Sequence, residues 1–109
     1  MSTWINNNNQ LSSLCNQLSD CELIALDTEF IRTDTFYPKI ALIQLSDGES
    51  IWLVDVLAID DFSPLKNLLE SPDNTLIFHA CAEDLEVLDH SVNIQPTHIF
   101  DTQIAAGIV

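Results

Sequence analysis

Basic residues are scarce in this chain of 109 residues: lysine and arginine together number 3, against 17 aspartates and glutamates. The formal net charge is therefore −14 at pH 7. An acidic surface repels nucleic-acid phosphates, and phosphate contacts normally supply most of the affinity of a nucleic-acid binder. Composition alone thus argues against such a protein, unless bound metal ions or a further part of the protein supply positive charge.

Long apolar runs, signal-like segments and cysteine pairs are also missing. The longest apolar runs have the length of single strands, which excludes a transmembrane helix. The N-terminal segment MSTWINNNNQ has no basic region followed by an apolar stretch, so it does not resemble a secretory signal. The three cysteines form no CxxC pair, which argues against zinc and favours a reducing compartment. We expect a cytoplasmic protein without a membrane partner, and no pattern indicates an obligate protein partner.

A length of 109 residues is enough for one small domain but not two, and a hydrophobic content of 47% is typical of a globular protein and too high for a disordered one. Apolar spacing predicts helices at 9–19, 63–71 and 82–90, with NNNN at 6–9 as a turn or helix lead-in. Short apolar runs predict strands at 22–29, 41–47, 50–56 and 75–80, and a short strand or turn at 98–101. Ser63-Pro64 matches an N-cap followed by proline at the first helical position. A last helix begins near residue 102 and reaches Val109 without a stop signal, so we expect a truncated domain.

Turn signals and crossovers set the topology of these elements. Asp47-Gly48 predicts a hairpin between the second and third strands, and therefore antiparallel pairing among the first three. Helical crossovers lead into the fourth and fifth strands, which favours parallel pairing there. The predicted fold class is α/β, a mixed sheet with helices on both faces.

The stretch LIALDTEF at 23–30 ends an apolar strand with two acids. Side chains alternate along a strand, so Asp27 and Glu29 point to one face, about 6.6 Å apart along it, and Thr28 points to the other. Ligands of open α/β sheets collect beyond the carboxyl ends of strands, and Mg²⁺ prefers carboxylate oxygens. The pair is either a divalent-metal site or a solvated strand end, and spacing alone does not decide between them.

A second acidic cluster, HACAEDLE at 79–86, opens the helix after the fourth predicted strand. If that strand neighbours the first, the first turn of the helix could face Asp27 and Glu29. Glu83 and Asp84 diverge by about 100° around the helix axis, so at most one of them is well aimed. Periodicity leaves this choice open, and the helix dipole alone would explain both acids without a site.

Four stretches, taken together and in order, resemble the ribonuclease D family: ALDTEFIRTDTFYPKIALIQLSDG, LVDVLAIDDFSPLKNLL, FHACAEDLEVL and IFDTQIAA. That family belongs to the DEDD superfamily of 3′→5′ exonucleases, and the resemblance implies its ribonuclease H-like fold. The first family motif, Asp-x-Glu, matches Asp27 and Glu29. The aspartate of the second motif matches Asp84 rather than Glu83.

The resemblance also implies a chemistry, namely phosphodiester hydrolysis with two divalent metal ions, Mg²⁺ or Mn²⁺, held by Asp27, Glu29 and Asp84. The implied substrates are RNA 3′ ends, such as those of precursor tRNA. Phe30 is a candidate for stacking on the terminal base or sugar, although strand alternation favours a core position for it. The family's third motif, a tyrosine and an aspartate four residues later, would follow Val109, as would basic nucleic-acid-binding domains. Residues 1–109 would then be the N-terminal part of an exonuclease domain, catalytically incomplete by itself.

Two other functions are compatible with the same residues. One is a DNA-directed 3′–5′ exonuclease of the same superfamily, because no residue in the chain distinguishes RNA from DNA. The other is a non-catalytic acidic interaction module that keeps the fold. A Tyr-x-x-x-Asp helix after Val109 would support an enzyme, and its loss would support the module.

Overall fold

A computed structural model describes residues 2–31, 39–78 and 81–102, with the backbone alone described at residues 31 and 81–83. Its elements in chain order are β1 (Ser2–Ile5), α1 (Asn8–Leu18), β2 (Leu23–Ile31), β3 (Lys39–Ser46), β4 (Ile51–Asp55), a 3₁₀ turn (Val56–Ala58), α2 (Ser63–Leu69), β5 (Thr75–Phe78), α3 (Cys81–Val92) and β6 (Ile99–Asp101). Apart from β1 and the 3₁₀ turn, they match the predicted elements to within a few residues at each end. The predicted end of the fourth strand at 79–80 and the last helix after residue 102 lie outside the described residues. No membrane-spanning helix is found among the described residues.

The described strands form a single sheet of six, in the order β1-β4-β3-β2-β5-β6. Pairing is antiparallel for β2–β3 and β3–β4, and parallel for β1–β4, β2–β5 and β5–β6. This confirms the predicted mixed α/β fold, with antiparallel pairing around the hairpin and parallel pairing after helical crossovers. The sequence did not predict β1, because STWI has only four residues and its partner strand begins far along the chain, at Ile51.

The predicted hairpin turn lies between β3 and β4. Gly48 has a φ of +96°, a left-handed conformation that glycine adopts without a steric penalty. The Asp47 carboxylate accepts hydrogen bonds from the backbone N–H groups of Glu49, at 2.9 Å, and Ser50, at 2.8 Å. These bonds favour the charged carboxylate and lower the pKa of Asp47. The Asp-Gly pair therefore fixes the register of β3 against β4.

The start of α2 differs in detail from the prediction. The N-cap position is Phe62, which has no side-chain capping bond, and Ser63 is the first helical residue. The Ser63 hydroxyl and N–H both bond the exposed Asp61 carboxylate, at 2.6 and 2.9 Å. Asp61, two residues before the first residue of α2, thus makes the side-chain bonds that stabilise its first turn. The sequence predicts this capping role for Ser63. Pro64 lies in the first turn, as predicted.

One face of the sheet carries the hydrophobic core. Along β2, Ile24, Leu26 and Thr28 are buried, and the residues between them are exposed. The helices contribute to the same core: Leu11, Leu14 and Leu18 from α1, Leu65, Leu68 and Leu69 from α2, and Val87 and Leu88 from α3. The described helices therefore cover this face, and no described helix covers the other, where the sequence predicts a second layer. Asp27 and Glu29 lie on that open face.

Asn74, just before β5, is the most buried polar residue among those described, with 2% of its surface exposed. Its Nδ2 donates to the backbone carbonyls of Cys21, at 2.5 Å, and Ser19, at 3.2 Å, and lies 3.5 Å from that of Leu18. These carbonyls belong to the end of α1 and the loop that leads into β2. The Asn74 amide thus joins the segment that leads into β5 to the end of α1 and to the loop that leads into β2.

The ends of α2 and α3 are joined through Lys66 and Glu70. The Lys66 ammonium donates to Glu70 Oε2 at 2.9 Å and to the carbonyl of Asn93 at 2.7 Å. Asn93 is left-handed, with a φ of 56°, and ends α3 in the way asparagine favours. The Glu70 carboxylate also accepts from the N–H of Gln95 at 2.9 Å. This hydrogen bond, together with the bond and charge of Lys66, lowers the pKa of Glu70.

Replacing Glu70 with glutamine should therefore change how stability depends on pH. Because the folded-state pKa is depressed, the carboxylate contributes stability above its ordinary pKa of 4.5 and loses that contribution as the pH falls through the lower folded value. We expect Glu70→Gln to lower the urea midpoint at neutral pH and to converge on the wild type in acid. The control is Glu49→Gln, at an exposed glutamate of the hairpin turn. A difference between Glu70→Gln and wild type that persists unchanged at acidic pH would contradict this role.

Candidate active site

The acids of the first motif lie on the central part of the sheet. β2 is hydrogen-bonded to β3 on one side and to β5 on the other. Asp27 and Glu29 are both exposed, and Thr28 between them is buried, with 7% of its surface exposed. The structure thus places the two carboxylates on one face of β2, as strand alternation predicts. Asp27 Oδ1 accepts from the N–H of Thr28 at 2.9 Å, which restrains its side chain.

A depression of about 290 Å³ lies beside Asp27 on the same sheet. Its polar lining comes from Gln44, Ser46 and Thr102 in addition to Asp27. Gln44 is exposed and pairs directly with Asp27 across the β2–β3 ladder, although its position in an apolar strand suggests only sheet packing. Thr102 donates to the carbonyl of Phe78 at 3.2 Å, which joins the end of β6 to β5. Asp27 therefore faces a space that is lined on several sides by hydrogen-bonding groups.

A bulge interrupts the β2–β3 ladder just after the acidic pair. Glu29 pairs with Leu42 and Phe30 with Ile40, so Ala41 is an extra residue on β3. Bulges increase local twist and redirect side chains, and they are frequent next to active sites. Phe30 is partly buried and packs against the core, the position that strand alternation favours. The open face thus presents the two acids without an adjoining Phe30 ring.

Asp84 approaches β2 from the other side of the sheet. It lies in the first turn of α3 and is buried, with 7% of its surface exposed. Its Oδ1 accepts a hydrogen bond from Thr28 Oγ1 at 2.5 Å. Since Thr28 points to the face opposite Asp27 and Glu29, the structure brings Asp84 next to the acidic strand segment but through the buried face. Within the described ranges, no three histidine, cysteine, aspartate or glutamate residues are grouped so that they could hold a metal ion.

The two histidines with described side chains are exposed: His90 near the end of α3 and His98 just before β6. The side chain of Glu83, together with His79 and Tyr37, lies outside the described residues. Sequence reasoning missed the link between Thr28 and Asp84, because a threonine between two acids carries no signal of a partner that is 56 residues away.

The sequence model of a 3′–5′ exonuclease family matches residues 2–109 of this chain. The chain therefore belongs to the 3′–5′ exonuclease family. This confirms the resemblance that the motifs around Asp27 and Asp84 indicate.

Among proteins similar to this chain, ribonuclease D of Escherichia coli is 48% identical over 103 residues, which cover 94% of this chain and 28% of that protein. Ribonuclease D of Pseudomonas paraeruginosa is 44% identical over 104 residues, covering 95% and 28% respectively. The crystal structure of E. coli RNase D, an exoribonuclease involved in structured RNA processing, superposes with a TM-score of 0.92 at 46% identity and covers 97% of this chain and 28% of that one. The chain has the ribonuclease H-like α/β fold of these relatives and spans less than a third of their length.

Proposed function

We propose that this chain is part of a hydrolytic 3′–5′ exoribonuclease, which shortens RNA from its 3′ end and has precursor tRNA as a substrate class. The observation that carries this proposal is the pair of carboxylates, Asp27 and Glu29, on the open face of a central strand in a 3′–5′ exonuclease family member. RNA rather than DNA follows from the relatives, which are named ribonuclease D. The free thiols of Cys15 and Cys21 agree with a reducing cytoplasm as the proposed location.

The donor set at the site fits a hard divalent cation. Asp27 and Glu29 offer exposed carboxylate oxygens, the ligands that Mg²⁺ and Mn²⁺ prefer, and a cation between them would offset their mutual repulsion. Asp27 and Glu29 would hold two such ions, and Asp84, whose Oδ1 is bonded to Thr28, would help to hold them through water. Ions bound there would lower the pKa of the attacking water and polarise the scissile phosphate.

The proposed reaction breaks the bond between phosphorus and the 3′ oxygen of the penultimate nucleotide. Water adds to the phosphorus, a nucleoside 5′-monophosphate is released, and the shortened RNA keeps a 3′ hydroxyl. The depression beside Asp27 would receive the terminal nucleotide, with Gln44, Ser46 and Thr102 as hydrogen-bonding groups. A stacking role for Phe30 stays a prediction, since its ring packs partly against the core.

Further groups that the reaction needs would come from outside these residues. The relatives are more than three times as long as this chain, which covers 28% of each. We propose that residues following Val109 supply the tyrosine and aspartate of the third motif and the basic domains that bind RNA. Basic domains of this kind would supply the positive charge that RNA binding needs and that this chain, with 17 acidic and 3 basic residues, has little of.

One structural observation favours the non-catalytic alternative, an acidic interaction module. Asp84 contacts Thr28 from the buried face and does not share the open face with Asp27 and Glu29. If this separation persists in the whole protein, the second ion would lack its ligand. Activity and its dependence on metal distinguish the module from the enzyme.

The test is an exonuclease assay of the full-length protein on single-stranded RNA labelled at either end. With Mg²⁺ or Mn²⁺ we expect nucleoside 5′-monophosphates and stepwise shortening from the 3′ end, because hydrolysis depends on metal-bound water. A chelator should abolish the reaction, and added Mg²⁺ should restore it. DNA of the same sequence should be shortened more slowly. Equal or faster shortening of the DNA would favour the DNA-directed alternative, and no shortening of either strand with any divalent metal would favour the module.

A further inference from the structure

We propose that Thr28 is a positioning residue, which holds the Asp84 carboxylate and the first turn of α3 against the strand that carries Asp27 and Glu29. This inference rests on the proposed function, in which Asp84, although bonded to Thr28 through the buried face, acts on a bound ion through water. Thr28 itself lies on the face away from the two acids, so we assign it no contact with metal or substrate.

The geometry of the contact is specific. The Thr28 hydroxyl donates to Asp84 Oδ1 at 2.5 Å, and the side chains of both residues are buried, each with 7% of its surface exposed. Hydrogen bonds from a hydroxyl to a carboxylate are short and about twice as strong as those between neutral groups. The β-branched threonine has few χ1 rotamers in a strand, so the backbone of β2 limits where its hydroxyl can lie. The position of this donor is thus set by the same strand that carries both acids.

The bond connects the two sequence motifs directly. Thr28 lies between Asp27 and Glu29 in β2. Any shift of these two acids along the strand therefore also moves the Thr28 hydroxyl, which donates to Asp84. The N–H of Thr28 also bonds Asp27 Oδ1, so one residue contacts a carboxylate on each face of the sheet. Hydrogen-bond partners of metal-binding carboxylates fix their orientation, and their loss typically lowers metal affinity or activity by roughly 10–100-fold.

Two substitutions distinguish the contribution of the Thr28 hydroxyl from that of its methyl group. Thr28→Val keeps the shape and removes the donor, whereas Thr28→Ser keeps the donor and removes a buried methyl group. Thr75→Val, at a partly buried strand position of β5, is the matched control for a threonine-to-valine change. In the full-length protein we would measure Mn²⁺ affinity by titration calorimetry, kcat and KM for RNA, and the thermal midpoint.

We expect Thr28→Val to weaken Mn²⁺ binding and lower kcat by about 10–100-fold, with KM for RNA little changed. Thr28→Ser should restore metal affinity and kcat to within a few-fold of wild type, even if its thermal midpoint is lower. Equal losses in the valine and serine variants would show a packing role and overturn the proposal, as would wild-type metal affinity in Thr28→Val. The wild type and Asp84→Asn separate the two levels. If the wild type does not shorten RNA with any divalent metal, the proposed function fails. If the wild type is active and Asp84→Asn loses activity while Thr28→Val does not, only the positioning role fails, and if Asp84→Asn keeps the wild-type activity, Asp84 has no role in metal binding and the positioning role fails with it.

Discussion

Replacing Asp27 with asparagine in the full-length protein is expected to lower the rate of 3′ trimming by about 10³-fold, because metal ions supply several kcal/mol of transition-state stabilisation and each 1.4 kcal/mol is a factor of ten. The loss should come from charge and not from unfolding. Asp27 is exposed, and its Oδ1 accepts from the N–H of Thr28, a bond that the asparagine amide oxygen can also accept. Asparagine retains the shape and the local hydrogen bond but is a weaker ligand for a hard cation.

The measurement is the exonuclease rate at saturating Mg²⁺, with circular dichroism to show that the fold is retained. Asp73→Asn is the matched control, since it removes one negative charge from an exposed aspartate outside the candidate site. It should keep the wild-type rate. Undiminished trimming by Asp27→Asn would remove Asp27 from the site.

Replacing Asn74 with aspartate is expected to destabilise the protein by about 3–5 kcal/mol at neutral pH, more than any of the other substitutions. The amide Nδ2 donates to backbone carbonyls, at 2.5 Å for Cys21 and 3.2 Å for Ser19. Aspartate would replace this donor with a carboxylate oxygen that faces the same carbonyl oxygens, at a position with 2% exposure. A buried charge without a donor is costly, and the loss would be a large fraction of the roughly 5–15 kcal/mol that typically stabilises a domain.

Urea unfolding of the full-length protein would measure this effect, with Asn67→Asp as the control. Asn67 is exposed on α2, so that substitution adds the same negative charge to an already acidic protein without burying it. We expect the control to change stability by no more than about 0.5 kcal/mol. If the two variants were equally stable, net charge rather than the Asn74 hydrogen bonds would explain the result.

Much of this fold could be predicted because its signals are local. The Asp47-Gly48 turn specifies the hairpin, and the apolar spacing of Leu65, Leu68 and Leu69 specifies α2. β1 could not be predicted, since its four residues become a strand only by pairing with β4. The start of α2 was misassigned by one residue, because Asp61 makes the bonds that stabilise its first turn.

The candidate site was predictable in part for the same reason. Alternation along β2 is a local property, so it placed Asp27 and Glu29 on one face and Thr28 on the other. The direction from which Asp84 approaches depends on how α3 packs over the sheet, which no local pattern contains. Its bond to Thr28 is therefore visible only in the structure. The roles assigned to these four residues remain proposals.

Titration of the full-length protein with Mn²⁺, followed by calorimetry for the wild type and for Asp27→Asn, tests the central assignment most directly. If the exposed carboxylates of β2 hold the metal, the wild type should bind Mn²⁺ and the variant should bind it at least about ten-fold more weakly, while Asp73→Asn binds normally. Identical binding curves for the three proteins, or no binding by the wild type, would contradict a metal site at Asp27 and Glu29.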